Sequence, residues 1–415
     1  MEQLEVGKKT YPNRLLWTLI FFLLIGASAM PIVTLGGFGS LNFFRVAAVL
    51  LTVYAIISSG KTQSNVLRIT MLIFISFVIF CFFSIVWAQN KSYAASSAFN
   101  YLICIAFMLS FTYLLSNGKN LETYLLYCGY VMIIFSLLGV FETFTGFYIF
   151  EISEQFRSIK GPFGLSTPIA AFGNPNDFAF ALLSILPFFF YALNKHFKCF
   201  QQVLGFKLLY IFLILYISFV GQTRITILIL CFMVFVRLLC SKKYRTFTLL
   251  MFLISAFAIV LSELFGLTHL TQRVFHEKRI RIWVTIINDF KNRLLFGKGV
   301  GNGQIIGTTI LNPHFWFLEL FADLGIIMGC IIALWFLYML VKNSKRHACF
   351  PLSDTCTNII YLSALLPMSV MSSSISFSPI LWISISFTIL LTMQTEKYKK
   401  YDVLGKDTSV KRMSL

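Results

Sequence analysis

Apolar runs of about twenty residues recur along this chain, and that length is what an α-helix needs to cross the hydrocarbon core of a bilayer. They lie near 15–35, 41–58, 69–88, 98–116, 121–145, 177–194, 203–221, 224–241, 246–267, 314–341, 355–372 and 378–395. Most are Phe, Leu and Ile on every face, as in helices that meet lipid on one side and each other on the rest. The sequence is 58% hydrophobic and only 12% charged over 415 residues, too little polar surface for a soluble protein of that size. We therefore expect an all-α integral membrane protein with about 12 transmembrane helices. The opening MEQLEVGKKTYPNR leads into the first run without a small-x-small cleavage site, so that run reads as a retained span.

With the runs as spans, the loops fall on alternate sides. One side carries 22 Lys and Arg, six of them in the C-terminal tail; the other carries 11, seven of them between 268 and 313. The positive-inside rule makes the richer side cytoplasmic and puts both termini there. The organisation that follows is an N-terminal membrane bundle of helices 1–9 (1–267), a large external loop (268–313), C-terminal membrane helices 10–12 (314–395) and a basic cytoplasmic tail (396–415). Orientation and anionic headgroups account for a net charge of +18 without nucleic acid. The external loop defies the charge bias, which points to a use for its cations.

Nine cysteines sit in or at the ends of apolar runs with no CxxC or CxxH spacing, so neither a zinc site nor a disulfide framework is indicated. Walker, GxSxG and outer-loop DxD sequences are missing too, which removes ATPase, serine-hydrolase and metal-dependent sugar-nucleotide chemistry. No metal or cofactor is expected.

Three stretches read as helix starts on the external side. GNPNDF (173–178) and LNPHFW (311–316) each place Asn at an N-cap and Pro at the first helical position, and GQTRITI (221–227) offers Thr223 as a cap with Arg224 in the first turn. Their positive dipole ends and free N–H groups suit phosphate or diphosphate. A cation such as Arg224 opposes the local dipole, so its charge is either used on a ligand or carried to the interface by snorkelling. From 277 to 292, Ile280, Trp283, Ile287 and Phe290 recur at helical spacing, with Arg279, Arg281 and Lys291 on other faces. That is an amphipathic helix suited to the membrane surface. It leads into GKGVGNG, a glycine-rich turn without P-loop spacing.

His314 admits three readings. It is an ordinary interfacial histidine, a metal ligand (disfavoured, since no partner lies at i+3 or i+4), or a general base. At the second helical position the dipole would keep it neutral and able to accept a proton near pH 7. Glu319 lies about 140° around the helix from His314 and cannot orient it. Glu319 and Asp323 share a face at i+4 and would repel unless an Arg or a hydroxyl answers them.

Taken together, GNPNDFA, QTRITIL, the stretch from Arg279 to Trp283 followed by FGKGVGNG, and HFWFLELFADLGIIMG resemble the O-antigen ligase and Wzy-type polysaccharide polymerase superfamily. The likeness covers roughly 160–340. Phe315 departs from it where many members have Asn, which puts that residue's hydrogen bond in doubt. The resemblance implies a metal-independent inverting glycosyltransferase of the GT-C type in the bacterial cytoplasmic membrane. Its donor is a glycan on undecaprenyl diphosphate, its acceptor a glycan or lipid-linked hydroxyl at the outer leaflet, and it admits a chain-length regulator as a further partner. It makes the external loop catalytic, assigns Arg224 and Arg279 to the diphosphate and His314 to acceptor activation, and implies substrate contacts from Arg281, Asn174, Asn176, Asp177 and Glu319. GNPNDF is closer to the polymerases, so polymerisation is the expectation and ligation to lipid A-core the alternative.

A lipid-linked sugar transporter or flippase is the rival from another class. Transporters place ionisable groups near the midplane, whereas Arg45, Glu142, Asp177, Arg224, Glu263 and His314 fall toward the outer ends of their spans, with only Asp323 deeper. Arg157 and Lys160, beside Glu151 and Glu154, read equally as glycan contacts or as an ordinary solvated loop.

Overall fold

The computed structural model describes residues 33–34, 40–41, 43–57, 64–116, 121–148, 161–170, 172–246, 248–249, 278–303, 305–306, 309–310, 314–349, 353–371 and 378–412. Most of the first and ninth apolar runs, Arg157, Lys160, Glu263 and the pair at 312–313 lie outside these residues. The described chain is helical apart from two short antiparallel ladders. β1 (Val33–Thr34) pairs with β2 (Ser40–Leu41), and β3 (Ile305–Ile306) with β4 (Thr309–Ile310).

The helices are α1 (Phe43–Ile57), α2 (Asn65–Ser84), α3 (Lys91–Ser116), α4 (Leu121–Thr145), α5 (Pro175–His196), α6 (Phe200–Val220), α7 (Arg224–Cys240), α8 (Lys278–Phe290), α9 (Trp316–Cys349), α10 (Ser353–Met368) and α11 (Pro379–Arg412). Six of them, α2 to α6 and α9, are long and apolar enough to cross a membrane. Their outward faces carry exposed Leu72, Ile134 and Phe212, a perimeter that water would not tolerate and lipid does. The protein is membrane-embedded. The runs near 41–58, 224–241, 355–372 and 378–395 are also helical, as α1, α7, α10 and α11. One boundary differs: α11 does not give way to a tail at 395 but continues to Arg412. The reason is local, since 396–412 holds no proline and is rich in Lys, which tolerates a helix well.

α5 is the most buried of the six long helices, and α2 the least. Phe188 of α5 meets Tyr361 of α10 at 5.0 Å and Phe387 of α11 at 5.5 Å, and Phe387 meets Phe111 of α3 at 5.8 Å. Trp335 of α9 stands edge-on to Phe74 of α2 at 4.9 Å and donates its indole N–H to Thr70 at 3.2 Å. The C-terminal helices are thus packed among the N-terminal ones through tilted and edge-to-face aromatic contacts, each worth about 0.5–1.5 kcal/mol beyond the area it buries.

The amphipathic helix is present as α8, but its buried seam is one position off the expected one. Ile286 is buried and Ile282 and Trp283 half-buried, against Leu318, Ala322 and Phe315 of the α9 start, while Ile287 faces outward. A narrow contact along one neighbouring helix selects the 282/283/286 stripe from a broader apolar face.

Candidate functional site at the shared helix starts

Local rules position the first element. Asn174 caps α5 by accepting from the Asp177 amide at 2.8 Å, Pro175 takes the first helical position, and the Asn174 side-chain amide donates to the Asp177 carboxylate. Asn174, Asn176 and Asp177 are all half-buried there. The loop before the cap is held by Glu142, a fully buried residue near the end of α4. Its Oε2 accepts from the amides of Ile169 (3.0 Å) and Ala170 (2.7 Å).

α7 begins beside α5. A side chain at Gly221 would come within 3.1 Å of the Pro175 ring. Thr223 occupies the cap position of α7, yet its hydroxyl accepts from Thr226 (3.0 Å) instead of capping a backbone amide. Arg224 is the first helical residue and is exposed. Its guanidinium has no hydrogen-bond or ion-pair partner among the described residues.

The third start differs from the expected one. The helix begins at Trp316, not at Pro313, so His314 is not its second residue. His314 lies two residues before α9 with a left-handed backbone (φ 46°), a conformation that costs a non-glycine residue about 1 kcal/mol or more. The physical reason is tertiary. The Trp316 amide donates to the Ser369 carbonyl just past α10 (3.3 Å), the Trp316 ring packs edge-on to Phe180 of α5 (4.9 Å), and Phe315 packs on Trp283 of α8 (5.4 Å). These three anchors fix where the helix can start, and the dipole argument for His314 weakens because the ring sits ahead of the first turn.

Arg279 belongs to the same neighbourhood. Its Nη1 donates to the Val370 carbonyl at 3.3 Å, one residue from the Ser369 carbonyl that receives Trp316. The turn after α10 therefore joins the start of α8 to the start of α9. Arg281 is exposed one helical step away, and Glu319 is buried in the first turn of α9. Arg279 and Trp316, two residues after His314, are tied to one turn, and the starts of α5 and α7 are linked to it through Phe180 and Pro175. No hydrogen bond or ion pair joins Arg224 directly to that turn among the described residues.

The glycine-rich stretch does what sequence reasoning did not foresee. α9 is broken at Gly325 (φ 78°, ψ 178°), roughly 14 Å beyond its start at 1.5 Å per residue. Three of the backbone groups at the break pair with residues 294–303. Lys298 N donates to Ala322 O (3.0 Å), Gly299 N to Asp323 O (2.9 Å), and Ile326 N to Leu294 O (2.9 Å). The Asp323 carboxylate accepts from the amides of Gly301 (2.7 Å) and Gly303 (2.6 Å). Among the described residues neither an Arg nor a hydroxyl answers this acid, as the i+4 argument required; backbone amides do.

On its other side the stretch meets the α2–α3 corner. Val300 N donates to Ser84 Oγ (2.9 Å), and the Asn90 amide donates to Asn302 Oδ1 (2.8 Å). Lys298 is ion-paired with Asp289 of α8 and donates to the Ile305 carbonyl. The loop is thus a wedge seated between α2, α3 and α9, with α8 strapped to it. The signal was present in the alternation of Gly297, Gly299, Gly301 and Gly303 ahead of an acid inside an apolar run.

Among the described residues no cluster of His, Cys, Asp or Glu could hold a metal ion. The chain matches no protein-family model and has no significant similarity to a curated protein.

Proposed function

We propose that this protein is a metal-independent inverting glycosyltransferase that polymerises glycan repeat units from an undecaprenyl-diphosphate carrier. The acceptor is a sugar hydroxyl at the outer leaflet of a bacterial cytoplasmic membrane. The proposal keeps about 12 spans with both termini cytoplasmic, so that the shared helix starts of α5, α7 and α9 face outward. The observation that carries it is the common anchoring of Arg279 and the His314 stretch on the turn at 369–371, with the exposed cation Arg224 at a neighbouring helix start.

A diphosphate leaving group needs fixed positive charge, and a hydroxyl acceptor needs a base at membrane level. Arg224 and Arg279 supply the first, with Arg281 and the N–H groups after Asn174 beside them; His314, held in a strained turn ahead of α9, supplies the second. Proton removal by His314 lets the acceptor oxygen attack the anomeric carbon while the lipid diphosphate departs toward the arginines.

The broken helix α9 is a feature that transporters also use, there to expose backbone groups to an ion or substrate. Here three of those groups and the Asp323 carboxylate pair with 294–303, which favours a rigid support over an ion path. Reconstitution of the purified chain with undecaprenyl-diphosphate-linked repeat units, read as product length on a gel, tests the reading. A ladder of lengths supports it. Transfer of finished glycan to lipid A-core alone would make the protein a ligase, and movement of lipid-linked sugar between leaflets without bond formation would make it a transporter.

A further inference from the structure

At the end of the bundle opposite the shared helix starts, α5, α6, α7 and α10 enclose a crevice of about 230 Å³. Its walls are apolar, with Leu186 and Phe190 of α5, Ile211 of α6 and Met233 of α7. Its polar lining is one-sided. Lys207 of α6 and Arg237 of α7 both reach it, near enough that their like charges repel. No carboxylate is among the lining residues. The adjacent acid, Asp354, accepts from the Ser353 hydroxyl at 3.2 Å and from neither cation among the described residues.

Among the described residues neither cation has a carboxylate partner. Lys207 donates to the Asn194 side-chain Oδ1 at 2.7 Å and lies 5.6 Å from the centre of the Phe190 ring; Arg237 donates to the Cys356 sulfur at 2.7 Å. Lys207 is half-buried and Arg237 exposed at the mouth of an apolar shaft, and two like charges placed there favour an anion that joins them. The crevice also reaches the perimeter, because Val234 in its lining is 53% exposed. Its volume is below that of a pocket for a whole drug-sized molecule, yet fits part of a chain whose remainder lies in the bilayer.

We infer that this crevice is a binding site for one anionic phospholipid, its phosphodiester bridging Lys207 and Arg237 and the upper part of an acyl chain lying along Phe190, Ile211 and Met233. Charge complementarity and apolar depth select this occupant together. A free phosphate would leave the shaft empty, and a zwitterionic lipid would bring its own cation against two others. The inference is independent of the glycosyltransferase reading and holds for any activity at the other end.

The test uses the full chain, delipidated in a neutral detergent and titrated with phosphatidylglycerol, phosphatidylcholine or inorganic phosphate while its melting temperature is followed. Phosphatidylglycerol should raise it saturably, and the other two should not. In Lys207→Gln/Arg237→Gln the midpoint concentration should rise roughly 30-fold, the worth of two interfacial cations. The exchanged pair Lys207→Arg/Arg237→Lys should retain most of the effect. Val234→Trp, which fills the open flank and leaves both charges, should weaken binding as well and decides the matter if the double glutamine variant does not fold. An equal response to phosphatidylcholine or to inorganic phosphate, or an unchanged midpoint in both the glutamine and tryptophan variants, overturns the inference.

Discussion

Gly303 and Asp323 are twenty residues apart in the chain and in direct contact, the glycine amide donating to the aspartate Oδ1 at 2.6 Å. With the matching bond from Gly301, this contact fixes the loop that fills the break in α9. Asp323→Ala leaves two buried amides without an acceptor, at about 1–3 kcal/mol each. Asp323→Asn keeps one acceptor and should fall between. Thermal unfolding of the purified proteins checks the order, and an alanine variant as stable as the parent would remove the loop's anchor from the account.

Gly299 has φ 92° and sits against the α2–α3 corner, where an added Cβ would lie 2.7 Å from the Ala88 Cβ and 2.8 Å from the Ser84 carbonyl oxygen. Gly299→Ala should destabilise by about 1–3 kcal/mol through strain and overlap. Gly205, whose added Cβ would meet nothing, is the internal control, and Gly205→Ala should be neutral or slightly stabilising because it lies inside α6. Equal melting temperatures for the two variants would contradict the packing described.

His314→Ala should lose roughly 10²–10⁴-fold in glycan transfer while donor binding persists, provided the variant inserts and runs as a single species. Its left-handed backbone predicts a second effect. His314→Gly relieves the strain but removes the base, so it should be at least as stable as the parent and equally inactive. Near-normal product length from the alanine variant would return His314 to an ordinary interfacial role.

Arg224 and Arg279 should separate in their stability effects. Arg224 is exposed and without a partner among the described residues, so Arg224→Ala should change stability by less than about 0.5 kcal/mol while weakening diphosphate binding. Arg279 also holds the Val370 carbonyl, so Arg279→Ala should cost both binding and stability. Lys should rescue either site only in part, since it lacks the planar fork. Binding of a diphosphate lipid against melting temperature for each variant reads both effects, and full rescue by Lys at both sites would argue against bidentate contact.

Glu396 tests the far end of the bundle by pH. Half-burial alone would raise its carboxyl, but the hydrogen bond from Lys342 (2.7 Å) and the charges of Lys342 and Arg346 outweigh it and hold the group below its ordinary value. A depressed carboxyl contributes stability above its unfolded pKa, and that contribution fades as pH falls through the folded value. The parent should therefore lose melting temperature more steeply than Glu396→Gln as pH falls from about 5 to about 3. Parallel curves would mean that the cluster contributes nothing.

The sequence by itself determined the membrane class, eleven helices at or near their observed positions and the Asn174 cap, because hydropathic pattern and the chemistry of an Asn-Pro start are local properties. It also marked Arg224, Arg279 and His314, as residue types that an apolar chain has little reason to keep at helix mouths. Only the tertiary structure decided that α9 starts at Trp316 and breaks at Gly325, that Asp323 binds glycine amides, and that Arg279 and the His314 stretch share the turn after α10. Each of these depends on backbone groups brought together from distant parts of the chain. A carbonyl at Ser369 or an amide at Gly303 is the same group in every sequence, so what it meets is written only in the packing.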